Sequence, residues 1–260
     1  MKTASDVPAD PQVFGSRLKL LAERYHGWRT SDLLAAMIVR EFPQRIVVVS
    51  SFGAEAAVIL HLVAGVDAAT PVVFLNTGKI FAETLQYRDR LVSHLGLVDV
   101  RTIEPDPGRV STCDPRGDLW SVDGDVCCRV RKVEPLEAAL AGFDAWISGR
   151  KRFHGGERLH LPIVEAGRGR RVKINPLAAW SKERLENYFA VHDLPRHPLE
   201  GEGFRSIGCA PCTHRVAFDA APRSGRWPGK EKSECGIHLP SHDFRCGAEA
   251  GRGVDPLTND

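Results

Sequence analysis

The sequence predicts an α/β fold built on a mainly parallel sheet. Short β-branched runs alternate along the chain with stretches of helical spacing, and the early runs end in glycine-bearing turns of small or polar residues. The 260 residues, 43% hydrophobic and 26% charged, suit one sizeable globular core. No apolar run approaches the roughly 18 residues of a membrane span.

Residues 1–15 (MKTASDVPADPQVFG) are polar, so a loose arm is expected, without a secretory signal and hence in the cytoplasm. Residues 16–42 show helical spacing through Leu18, Leu21, Leu33, Leu34, Met37 and Ile38. Ile46 to Val49 is the first buried strand, SSFGAE its turn, and AAVILHLVAG the helix that follows. TPVVFLNTG (70–78) repeats strand and turn, and IFAETLQYRDRLVSHLG (80–96) is an amphipathic helix closed by Gly96. LVDVRTIEP (97–105) is a third strand, residues 132–141 are helical, and FDAWISGR (143–150) is a fourth strand. RRVKINPLAAW (170–180) supplies a fifth, and SKERLENYFAVHDL (181–194) a helix capped by Ser181. From about residue 195 the pattern stops; four of the seven cysteines lie beyond it. The expected organisation is therefore an arm (1–15), an α/β domain (16–200) and an irregular segment serving the site (201–260), without internal repeats.

The net charge of +2 is too small for a typical nucleic-acid binder. Arginines nevertheless crowd residues 129–132, 150–158, 168–173 and 223–226, which suits a small anionic ligand. Three turns are candidates to receive it: SSFGAE, LNTG (75–78) and SGRKR (148–152). Each follows a strand, at the edge where open parallel sheets bind ligands, and small residues there let backbone N–H groups face an anion. None is a Walker A or G-x-G-x-x-G loop.

A reduced compartment disfavours disulfides, so the cysteines need another explanation. Cys127 and Cys128 are adjacent, and Cys209-Ala-Pro-Cys212 forms a C-x-x-C. Four such thiolates suggest a metal site or an iron–sulfur cluster, against a set of buried or redox-paired thiols. Adjacent ligands crowd a single tetrahedral zinc, whereas a cubane offers them separate irons, which favours [4Fe–4S]. Cys113 is expected to be incidental, and Cys246 either spare or paired with Cys235 under oxidation. Cys235 itself, in GKEKSECGIHLPSHD (229–243), sits in a polar stretch with His238 three residues on, the setting of a reactive thiol.

Together, CCRVRKVEPL (127–136), SIGCAPCTHRV (206–216), RSGRWPG (223–229) and KSECGIH (232–238) resemble the assimilatory adenylyl-sulfate reductases, within the wider group of APS and PAPS reductases. SSFGAE, LNTGKIF and WISGRKR fit that family's nucleotide-site turns, and the match runs in order from about residue 45 to 239. The resemblance implies a Rossmann-like, adenine nucleotide α-hydrolase-like fold. It implies one [4Fe–4S] cluster per subunit on Cys127, Cys128, Cys209 and Cys212, and Cys235 as the nucleophile. Cys235 would attack the sulfur of adenosine 5′-phosphosulfate (APS), release AMP and become an S-sulfonate, from which a thioredoxin or glutaredoxin thiol releases sulfite. The four cluster cysteines favour APS over 3′-phosphoadenosine 5′-phosphosulfate (PAPS); a PAPS or dual-specificity reductase is the alternative.

The substrate-site positions so implied are Ser50, Ser51, Phe52, Gly53, Leu75, Thr77, Gly78, Gly149, Arg152, Arg223 and Arg226, with Lys132 and His238 beside Cys235 in catalysis. Cations at Lys132, Arg223 and Arg226 would offset the repulsion between thiolate and sulfate, and cations with His238 would lower the Cys235 pKa. Three positions depart from the family pattern: Asn76 stands where an aspartate is common, an alanine follows Glu55, and the usual G-x-R-R reads Gly149-Arg150-Lys151-Arg152. Two other classes fit the sequence less well. A nucleotide-binding iron–sulfur or zinc sensor would not need the KSECGIH tail, and a tRNA sulfur-insertion enzyme would carry an S-G-G-x-D-S loop. No nucleic-acid or membrane partner is expected, and a homo-oligomer is compatible with the sequence.

Overall fold

A computed structural model describes residues 10–217 and 219–238. Its centre is a six-stranded sheet of β1 (Ile46–Ser50), β2 (Val72–Leu75), β3 (Val100–Ile103), β4 (Ala145–Ser148), β5 (Val164–Ala166) and β6 (Val172–Ile174), in the order β3-β2-β1-β4-β6-β5. Every neighbouring pair is parallel except β5 with β6. The chain moves outward from β1 to β3 and then returns to the other side of β1 with β4. This reversal leaves a crevice beyond the carboxyl ends of β1 and β4.

Period-two alternation sorts the strand residues between two cores. Ile46, Val48, Val72, Phe74, Ile147 and Ile174 face one side, packed under α1 (Pro11–Arg24), α2 (Thr30–Ala35), α3 (Ala56–Asp67), α4 (Ala82–Leu95) and α9 (Lys182–Val191). Val47, Val73, Leu75 and Trp146 face the other, against Leu136 and Leu140 of the segment containing α8 (Glu134–Ala139). With both faces covered, the central strands read as continuous apolar runs.

All five expected strands form, Gly96 closes α4 with φ +61°, and the Ser181 side chain accepts the Arg184 N–H at 3.1 Å. Three expectations change. The first helix starts at Pro11, inside the expected arm, because Asp10 caps it, proline suits the first turn and Phe14 is buried in the core. Strand β5, three residues long, is too short to show a period and forms by pairing antiparallel with β6. Three short helices, α5 (Pro107–Cys113), α6 (Leu119–Val122) and α7 (Gly124–Cys128), precede the expected helix at 132–141; Asp106 and Asp123 cap the first and third.

Between α7 and α8 the helix widens into a π turn, Arg129–Val133. Pro135 offers no N–H to the Arg131 carbonyl, and the Glu134 N–H reaches back to Arg129 instead. Cys127, Cys128, Arg131 and Lys132 all stand on this modified helix.

His197 joins α4 to the later segment. Its Nδ1 accepts the Leu199 N–H (3.2 Å), so the proton sits on Nε2 and faces Thr84 Oγ1 (2.9 Å). Burial pushes its pKa down to about 4. A depressed histidine contributes stability that is complete above the unfolded pKa near 6.5 and is lost as pH falls towards 4. The unfolding free energy from urea titrations should fall across that window by up to about 3 kcal/mol, with a shallower slope in His197→Gln. Equal slopes would show that His197 is not held neutral.

Candidate active site

The crevice is a cavity of about 200 Å³, and its walls come from the three strand-end turns and the C-terminal segment. After β1, Ser50 Oγ accepts the Phe52 N–H at 3.1 Å, which folds the turn tightly. Phe52 takes a positive φ of +47° and turns into the core, edge-on to Phe74. Ser50, Ser51 and Gly53 are left along the cavity. A Cβ on Gly53 would lie 3.1 Å from the Ile207 carbonyl, so the glycine admits close approach of the C-terminal segment. Leu75 and Thr77 after β2, and Ser148 and Gly149 after β4, complete the sheet edge.

Eleven of the fourteen expected catalytic and substrate residues line this cavity; Phe52, Gly78 and Arg152 do not. Gly78 (φ +70°) shapes its turn against Arg131, whose Nη1 donates to the Thr77 carbonyl at 2.8 Å. Arg152 is exposed and gives its Nε–H to the Leu161 carbonyl (2.8 Å), because the 3-10 turn Arg152–His154 carries it off the sheet edge. Arg150, Lys151, Arg158 and Arg205 face the cavity instead. Three of these belong to the arginine-rich stretch 150–158, where spacing could not tell inward from outward residues.

Arg226 lies 4.4 Å from the Trp227 ring centroid and donates to the Cys212 carbonyl at 3.1 Å. It can do so because residue 208 is glycine: a Cβ there would overlap the guanidinium. Arg223, also lining the cavity, has its pKa pushed down to about 10, first by burial and then by Arg158.

Cys127, Cys128, Cys209 and Cys212 line one small cavity of about 10 Å³ together with Lys132. Two segments about eighty residues apart are brought there by the strand-end turn. Thr77 Oγ1 lies 3.3 Å from Cys209 Sγ, Ile80 bridges Cys209, and the Ala210 N–H donates to the Lys79 carbonyl at 2.8 Å. Burial, followed by the Cys128 charge, pushes the Cys127 thiol up to about 12. Burial would also raise Cys209, but Lys132, the Thr77 hydrogen bond and Arg226 outweigh it and lower its pKa. Lys132 is the reciprocal case: burial disfavours its charge, yet Cys209, Cys128 and Cys235 together raise its pKa. It stands between the cysteine set and Cys235.

Cys235 is a half-buried free thiol at the cavity wall. Its segment is docked: Glu234 is buried against Arg158 and Arg223, Ile237 packs on the Trp146 core, and Arg168 donates to the Gly236 carbonyl at 2.9 Å. His238 stacks on Trp146 with ring planes 6° apart. Donor atoms of Glu234, Cys235 and His238 lie within 4.8 Å of one another. The surroundings do not suit a cation, because Lys173, Arg150, Arg158 and Arg223 all disfavour a positive charge at His238. Burial and those cations hold its pKa well below 6.5, so His238 is neutral. Any help it gives Cys235 is therefore that of a neutral imidazole. Cys113, expected to be incidental, is disulfide-bonded, Cys235 is unpaired, and Cys246 lies outside the described residues.

The arrangement places the Cys235 thiol and a set of cations around one cavity, next to four clustered cysteines. The family model described as "Phosphoadenosine phosphosulfate reductase domain" matches residues 45–215. An "Adenosine 5′-phosphosulfate reductase" of Mesorhizobium japonicum is 49% identical over 198 residues, 76% of this chain and 78% of its own. A "Phosphoadenosine 5′-phosphosulfate reductase" of Gloeobacter violaceus is 39% identical over 92% of this chain and all of its own. The crystal structure of a PAPS reductase from Candida auris, in a phosphate complex, superposes with a TM-score of 0.64 over 77% of this chain and 97% of that one; at 22% identity it speaks for the fold alone.

Gly208→Ala should displace Arg226 from Trp227 and weaken binding of sulfate or AMP by about tenfold, read by tryptophan fluorescence. Unchanged binding would show that Arg226 does not serve the anion.

Proposed function

The chain belongs to the phosphoadenosine phosphosulfate reductase domain family, and we propose that it reduces adenosine 5′-phosphosulfate to sulfite and AMP by thiol chemistry at Cys235. The observation that carries this reading is the docking of Cys235 and the cations Lys132, Arg223 and Arg226 around one cavity at the strand ends. The strand-end turns receive the nucleotide, and the phosphosulfate lies towards the cations.

The Cys235 thiolate attacks the sulfate sulfur. A sulfur–sulfur bond forms, the sulfur–oxygen bond to phosphate breaks, and AMP leaves with that electron pair. Both partners are anionic, so charge accumulates in the transition state; Lys132, Arg223 and Arg226 stabilise it from a partly desolvated site. Arginine suits bidentate contact with phosphate and sulfate oxygens. The raised pKa of Lys132 keeps it an ammonium through this step. His238, neutral and within 4.8 Å of the thiol, offers a hydrogen bond without adding charge. A dithiol donor of the thioredoxin or glutaredoxin type then attacks Cys235 Sγ. Sulfite leaves, and the second donor thiol resolves the mixed disulfide, so the donor supplies both electrons. Sulfite made this way would feed sulfate assimilation towards cysteine.

Cys127, Cys128, Cys209 and Cys212 line one small cavity and have the donor chemistry to hold one [4Fe–4S] cluster. When bound, the cluster would supply fixed negative charge beside Lys132 and tie the segment 127–132 to 209–212. Lys132 then acts as an electrostatic link from that charge to the substrate. The cysteine set favours APS, while the Gloeobacter relative's name keeps PAPS as the competing substrate.

Anaerobic, pre-reduced protein mixed with APS or PAPS and no donor should gain one sulfonate group by intact-protein mass. The gain should vanish in Cys235→Ser and be removed by thioredoxin. APS should label faster than PAPS, and the reverse would reassign the substrate. Absence of any adduct in cluster-replete protein would sink the reading. Lys132→Ala should slow labelling by about 100-fold with iron and sulfide content unchanged; loss of the metal would instead give Lys132 a structural role.

A further inference from the structure

Glu234 immediately precedes Cys235 and is only 3% exposed. Arg158 grips its carboxylate with two N–H groups, Nε on Oε1 and Nη2 on Oε2 at 2.9 Å. Arg223 is a looser partner: it reaches Oε2 at 3.4 Å and gives its shorter bond, 2.7 Å, to the Ser233 carbonyl. Arg158 is fixed from behind. Its Nη1 donates to His154 Nδ1 (3.0 Å), and His154 Nε2 meets Glu55 (3.2 Å), which is paired with Lys151. The grip is therefore continuous with the turn after β1.

The segment's other ionic tie is weaker by position. Lys232 pairs with Asp125, but that carboxylate is 55% exposed, and exposed pairs contribute little. The Arg158–Glu234 pair has side-chain exposures of 10% and 3%. Removing either partner of a buried pair strands the other's charge, so loss of Glu234 or Arg158 should disturb where the segment rests.

We propose that the Arg158–Glu234 pair anchors the nucleophile segment, with Glu234 as a positioning residue that holds the Cys235 thiol at the cavity. This rests on Cys235 being the nucleophile. Glu234 is neither a base nor a metal ligand in this role, because its carboxylate oxygens are already taken by Arg158. An ionic anchor also suits a segment that must come out again: the donor protein has to reach the S-sulfonate, and both partners are well solvated once apart. Arg223, the looser partner, is free to turn to the substrate anion while Arg158 keeps its hold.

The test uses cluster-replete protein and two readouts. The first is alkylation of Cys235 by iodoacetamide with AMP present, followed by intact-protein mass, with Cys235→Ser as background. The second is the rate of sulfonation at saturating APS without a donor, alongside AMP affinity. Glu234→Gln should alkylate about 10- to 100-fold faster and sulfonate about 10- to 100-fold slower, with AMP affinity within about threefold. Glu234→Asp, which keeps the charge, should recover part of both. Arg158→Lys should move both readouts in the direction of Glu234→Gln and serves if that variant does not fold. Wild-type alkylation in Glu234→Gln would overturn the anchor, as would loss of AMP affinity with alkylation unchanged. If wild-type protein forms no adduct with APS, the reductase reading fails, while the alkylation comparison still decides the anchor.

Discussion

Like charges crowded at one sheet edge are the constraint on which the rest of the site depends. Lys132, Arg150, Arg158, Arg223 and Arg226 all face one cavity. Burying so many cations is tolerable only where each finds compensation. Glu234 answers Arg158 and Arg223, Glu165 answers Arg150 and Lys173, and the cysteine thiols answer Lys132. Arg226 has a ring and a carbonyl but no carboxylate among its described partners. That leaves positive charge on the cavity wall, which suits an anionic ligand.

The modified helix translates that constraint into geometry. Its N-terminal part carries Cys127 and Cys128, its π turn carries Arg131 and Lys132, and its last part leads to Leu136 and Leu140 on the sheet. Arg131, bound to Asp114 (2.7 Å) and the Thr77 carbonyl (2.8 Å), locks the turn after β2 to the same helix. The cysteine set, Lys132 and the turn after β2 are thereby tied to one helix.

The docked tail adds a further layer. Its ties among the described residues include the buried Arg158–Glu234 pair, the Lys232–Asp125 pair, a stacked histidine, hydrogen bonds to the Ser233 and Gly236 carbonyls and an apolar contact.

Much of this was legible from residue types alone. Strands with a strong β-branched core showed themselves, as did caps such as Ser181 and Gly96, because those signals are local. The cysteine pairs and Cys235 stood out because a thiol in a polar setting has few structural reasons to be there. Three short helices, β5 and the true start of α1 were hidden, since each forms through caps or a partner strand and not through a period of its own. The sequence by itself determined the fold class and the four-cysteine set, and it singled out Cys235 as a thiol in a polar setting, all of which rest on residue chemistry and local pattern. Only the tertiary structure decided that Arg150 and Arg158 face the cavity while Arg152 leaves it, that His238 is neutral, and that Glu234 pairs with Arg158. Those outcomes depend on burial and on charges brought together from distant segments, and no local spacing encodes either.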